Sequence, residues 1–139
     1  MPSLVLEENN RAALVAQMTD DTWVVACLCA AWCDVCTAYR PEFEALAANY
    51  PDTLFVWIDI EDRADMVGDF DVENFPTILI QRADEVVFYG TTLPDPRIAL
   101  RLLAAQAQRD PAERVATASG NPDYQLWQEE RNLRKALKS

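Results

Sequence analysis

The chain has 139 residues, half of them apolar, which is enough for one ordinary domain with its own hydrophobic core and no need of disulfide staples. A net charge of -11 argues against nucleic acid and anionic membrane surfaces as partners, and the absence of histidine excludes Cys–His catalysis and histidine-ligated metal sites. The first ten residues lack a basic segment followed by an apolar run, and no stretch approaches the length of a membrane span, so the expected compartment is cytoplasmic.

In chain order, Leu4–Leu6 is an apolar run suited to an edge strand. Asn9 or Asn10 can cap a helix whose apolar face is Ala12, Leu14, Val15 and Met18. Trp23–Cys29 is continuously apolar, as a strand buried on both faces should be. From Cys33 to Tyr50 the spacing of Phe43, Leu46, Ala47 and Tyr50 predicts a helix, kinked by Pro41 inside it. Leu54–Ile60 is a second buried strand, and Asp62–Phe70 a short acidic helix or turn. Thr77–Gln81 and Val86–Tyr89 form a hairpin across the polar turn Arg82–Glu85, with Gly90 closing it. Pro94 and Pro96 open a helix over Ile98 to Ala107. Strands alternating with helices imply parallel pairing, and the hairpin adds an antiparallel edge.

Composition shifts after residue 109. Residues 110–123 hold Pro111, Ser119, Gly120, Asn121 and Pro122 and read as a linker. Tyr124–Lys138 reads as one helix outside the core, packing through Leu126, Trp127, Leu133 and Leu137. Its late basic residues suit docking on an acidic body, its own or that of a second copy, so a monomer and a homodimer through this helix both stay open. The expected division is therefore 1–109 and 110–139.

Cys27, Cys29, Cys33 and Cys36 all fall within ten residues. A structural disulfide framework would spread its cysteines, so clustering points to redox chemistry or metal binding. The spacing is too compressed for paired zinc knuckles. Cys33 and Cys36 follow a strand and open a helix. Unpaired amides and the helix dipole there favour the thiolate of Cys33, and Cys36 lies one turn later, placed to resolve a mixed disulfide. Asp34, adjacent to Cys33, opposes that thiolate. Cys27 and Cys29 read as small buried hydrophobes. Two apart on a strand, they lie roughly 6.8 Å from each other, awkward for a direct disulfide. The acidic run from Asp59 to Asp71 reads as a solvated face and lacks the spacing of a calcium loop.

Trp32-Cys33-Asp34-Val35-Cys36, Pro41 five residues beyond the second cysteine, Phe75-Pro76-Thr77 before a strand and Gly90 after it occur in the order found in the thioredoxin family. Over roughly residues 4–108 the chain resembles that family. The resemblance implies a thioredoxin-like α/β fold: a central mixed sheet of four to five strands flanked by helices, here with a C-terminal helical extension. It implies a thiol–disulfide oxidoreductase that transfers electrons through a Cys33–Cys36 pair, needs no metal or organic cofactor, and exchanges with protein thiols and disulfides and with a protein or small-thiol reductant. It also implies a cis Pro76 against the pair, and substrate contact through Phe75, Pro76 and the flanking Trp32. Departures from the family pattern are Asp34-Val35 in place of Gly-Pro, Cys27 where a buried aspartate stands, Trp57 near its lysine partner, and Cys29 at a tryptophan position. The alternative is a redox-inert adaptor or chaperone-like binding module on the same fold.

Overall fold

A computed structural model describes residues 4–67, 70, 72, 74–108, 110, 113 and 122–138. Its elements are β1 (Leu4–Val5), α1 (Arg11–Gln17), β2 (Trp23–Cys29), α2 (Asp34–Asn49), β3 (Leu54–Asp59), α3 (Ala64–Val67), β4 (Thr77–Arg82), β5 (Glu85–Thr91), α4 (Pro96–Ala107), α5 (Tyr124–Glu130) and α6 (Leu133–Lys138). The strands form one sheet in the order β1-β3-β2-β4-β5. β1, β3 and β2 pair in parallel, while β4 is antiparallel to both β2 and β5.

β2 lies at the centre, and from Val24 to Cys29 every residue is buried, as its unbroken apolar run requires. Alternate side chains enter two different cores. Val24, Ala26 and Leu28 pack with Leu14 of α1, Met66 and Val67 of α3, and Leu79 of β4. Val25, Cys27 and Cys29 pack with Cys36, Tyr39 and Phe43 of α2 and Leu103 of α4. Phe43 is fully buried and meets Phe55 and Trp57 edge-on, with ring centroids 5.5 and 5.7 Å away. Burying such a side chain contributes about 2–3 kcal/mol, and it anchors the helix that carries Cys36. Pro41 lies inside α2, as expected. α4 starts where the two prolines place it: Pro96 is its first residue, and the Asp95 side chain caps it by accepting from the Arg97 amide at 2.9 Å.

The C-terminal segment differs from the single helix expected over Tyr124–Lys138. It is two helices, broken at Arg131 and Asn132. The break has a local cause: Asn132 Oδ1 accepts from the Lys135 amide at 3.0 Å and so caps α6. Leu133 and Leu137 join the α1 side of the core and are fully buried, and Trp127 packs against it partly buried. Leu126, expected on the buried face, is exposed because the break removes the common stripe. Arg11 Nε donates to the Leu137 carbonyl at 2.6 Å, closing the segment over α1. Apart from Asp110, Glu113, Pro122 and Asp123, the expected linker lies outside the described residues. Gly90 sits within β5 opposite Ile78 and does not close the hairpin. The tight turn falls within the expected Arg82–Glu85, at Ala83, whose φ is 53°.

Candidate active site

β2 ends at Cys29, and α2 begins at Asp34 after four intervening residues, so the chain doubles back over the strand it has just left. Cys33 is the N-cap of α2, with extended backbone. Its amide donates to the Ala30 carbonyl at 3.1 Å. Its carbonyl accepts from the Thr37 amide at 3.0 Å and the Thr37 hydroxyl at 3.1 Å. The Cys33 thiol is free and half-exposed, whereas Cys27 and Cys29 are 0 % exposed and Cys36 is 1 % exposed.

Cys36 is disulfide-bonded to Cys29, and Cys33 is not paired. The sequence reading placed the Cys36 bond at Cys33 and treated Cys29 as a small buried hydrophobe. The strand–turn–helix reversal explains the difference. It stacks the first turn of α2 over the end of β2, with the Cα atoms of Cys29 and Cys36 5.8 Å apart, inside the range disulfides need. Cys27 keeps its thiol, which donates to Cys29 Sγ at 3.7 Å. Burial pushes the Cys27 pKa up, so this sulfur stays protonated. Cys27 also sits directly across from Trp57 in the β2–β3 register, and no buried carboxylate–lysine pair occupies these two positions.

The Phe75–Pro76 bond is cis, as the resemblance implied. Phe75 and Cys33 both pack against the core that holds the other three cysteines. Trp32 is 65 % exposed and meets Phe75 edge-on at 5.5 Å, so an aromatic pair links the residue before Cys33 to the residue before Pro76. Two carboxylates missed in the sequence hold this rim. Asp59, the last residue of β3, accepts from the amides of Ala31 at 3.0 Å, Glu61 at 2.9 Å and Asp62 at 3.1 Å, tying the loop before Cys33 to the neighbouring strand. Glu61 accepts from Trp32 Nε1 at 2.7 Å and orients the indole. The acidic run was read as solvent-facing. The only hint of its structural use was an aspartate ending an apolar strand.

A family model for thioredoxin matches residues 2–99. The chain belongs to the thioredoxin family. It is 28% identical over 101 residues to a putative thioredoxin 2 of Streptomyces coelicolor, covering 73% of this chain and 75% of that one. It is 33% identical over 64 residues to a thioredoxin of Ophiophagus hannah, covering 46% of this chain and 61% of the other, less than two thirds of that relative. A chain from the solved complex of ferredoxin:thioredoxin reductase and thioredoxin f2 has a TM-score of 0.66 at 19% identity, covering 77% of this chain and 96% of that one. The thioredoxin fold is thus present. Membership of this thioredoxin family, together with the Cys29–Cys36 disulfide, supports a thiol–disulfide oxidoreductase-type role. Among the described residues no helix is long and apolar enough to cross a membrane.

Proposed function

We propose that the protein exchanges disulfides with protein substrates through Cys33 and Cys36, and that Trp32, Phe75 and Pro76 form the docking rim. One observation carries this reading: of the four cysteines, only Cys33 presents a free and accessible thiol, and it does so at a helix start beside an exposed aromatic platform. The Cys33 thiolate attacks a substrate disulfide, one substrate sulfur leaves as a thiolate and takes up a proton, and a mixed disulfide remains. Cys36, one helical turn later, then attacks the Cys33 sulfur and releases the second substrate thiol. The substrate gains two electrons and the Cys33–Cys36 pair loses them; the reverse sequence oxidises a dithiol. A protein or small-thiol reductant restores the pair, as a partner of the kind named with the thioredoxin f2 chain would. The free thiols of Cys27 and Cys33 favour the reducing cytoplasm as its place of work.

The test is reduction of insulin disulfides by dithiothreitol in the presence of catalytic amounts of protein. Wild type should accelerate it and Cys33→Ser should not. If wild type is also inert, the chain is a binding module on a thioredoxin fold and the exchange reading is wrong.

A further inference from the structure

Exchange through Cys33 and Cys36 makes no use of Cys29, yet Cys29 is the residue that holds Cys36. We propose that Cys29 is a second resolving thiol, which takes Cys36 over from Cys33, moves the disulfide into the core and leaves Cys33 free to attack again. This rests on the exchange reading above.

The geometry gives Cys36 two partners on opposite sides. Cys33 precedes it by one helical turn at the surface, and Cys29 lies beneath it at the end of β2, on the same face of the sheet. The inward step is an intramolecular exchange. The Cys29 sulfur, as thiolate, attacks Cys36 Sγ, the Cys29–Cys36 bond forms, the Cys33–Cys36 bond breaks, and Cys33 leaves as thiolate. The proton lost by Cys29 is balanced by one that Cys33 can take from solvent. No electrons enter or leave, so no further oxidant is required. With Cys29 and Cys36 at 0 and 1 % exposure, an external thiol or disulfide reaches neither sulfur directly. Both the making and the reduction of the inner bond therefore pass through Cys33. The relay stops at Cys29. Cys27 Sγ lies 3.7 Å from Cys29 Sγ, but two residues along one strand its Cα is roughly 6.8 Å from that of Cys29, awkward for a direct disulfide.

The oxidised protein then differs from a two-cysteine exchanger. It still presents a nucleophile, and a second disulfide captured by Cys33 stays attached until a thiol of the reductant attacks that mixed disulfide, takes over the substrate sulfur and releases Cys33 as thiolate. The ligand class is a small or protein disulfide held covalently on Cys33.

Disulfide mapping tests this without any substrate. The reduced protein is oxidised with one equivalent of diamide, quenched in acid, blocked with N-ethylmaleimide in denaturant and cut after Trp32 with chymotrypsin. The cut separates Cys27 and Cys29 from Cys33 and Cys36. The expected result is two fragments still joined, with the maleimide on Cys27 and Cys33. Fragments that separate, with Cys27 and Cys29 both labelled, overturn the proposal. In Cys29→Ala the fragments should separate and Cys33 should carry no label; a labelled Cys33 there overturns the stepwise transfer. In Cys33→Ser the inner bond should form about tenfold or more slowly, because access is lost; formation at the wild-type rate overturns the route through Cys33. Failure of the exchange reading itself shows separately, as wild type that does not reduce insulin.

Discussion

Gln81 is the place to ask what holds the C-terminal helices on the domain. It is 0 % exposed, on β4, facing the same side as α6. Its amide nitrogen donates to Asn132 Oδ1 at 2.7 Å and to the Ala83 carbonyl at 3.0 Å, and its oxygen accepts from the Leu133 amide at 2.8 Å. Gln81→Ala removes all three bonds, each contributing about 1 kcal/mol net. It also leaves the buried Leu133 amide without that acceptor, which costs about 1–3 kcal/mol more. Asn132 retains its bonds to Asp84 and Lys135, so the loss stays local. The sum is about 4–6 kcal/mol, a large part of the roughly 5–15 kcal/mol that holds a domain of this kind folded. For a chain of this size that lowers Tm by on the order of 10 °C. Thermal melts followed by far-UV circular dichroism measure it, and hydrogen exchange at the amides of α6 should rise well before global unfolding. Insulin reduction at 25 °C should be retained, since Gln81 sits at the far end of β4 from Pro76. A drop of less than about 2 °C, with α6 amides still protected, would refute this account of how the segment is clamped.

Three further outcomes follow from the site. In the reduced protein at neutral pH, iodoacetamide should label Cys33 first, with Cys27, Cys29 and Cys36 reacting only as the fold opens; peptide mapping of the label that finds Cys27 or Cys29 first contradicts the placement. Trp32→Ala should raise KM for a protein disulfide by about tenfold, the effect of losing an exposed aromatic contact, while leaving the rate with a small disulfide unchanged; equal losses on both substrates would assign Trp32 to the chemistry instead. Burial raises the Cys27 pKa above its ordinary value of 9.0, so the folded chain keeps a proton that the unfolded chain releases as pH rises past about 9. Stability from this group is complete below that pH and declines above it. Urea midpoints between pH 8 and 10.5 should therefore fall more steeply for wild type than for Cys27→Ala, and parallel slopes would contradict it.

The strands and α2 were legible because they carry unambiguous patterns. Trp23–Cys29 has no polar interruption, and Phe43 and Ala47 repeat at helical spacing. The accessible position of Cys33 relative to the other cysteines and the cis loop at Pro76 were legible from motif order and local context. What stayed hidden depends on how distant pieces meet. Cys29 and Cys36 are seven residues apart across a strand, a turn and a helix start, and neither the strand period nor the CxxC spacing measures the distance between them. The split of the last helix turned on Asn132, whose side chain caps α6 while also bonding Gln81 and the Asp84 carbonyl. In sequence it looks like one more polar residue in a charged helix. Asp59 was likewise read as part of an acidic face, although its carboxylate braces the loop before Cys33.

The most direct test of the central claim, that Cys33 is where electrons enter and leave, is covalent trapping with Cys36→Ala. Without Cys36 the mixed disulfide cannot be resolved. Incubated with oxidised insulin and run on a non-reducing gel, the variant should accumulate a one-to-one adduct that dithiothreitol releases and that peptide mapping places on Cys33. An adduct on Cys27 or Cys29, or no adduct from a variant that is folded by circular dichroism, would contradict the account.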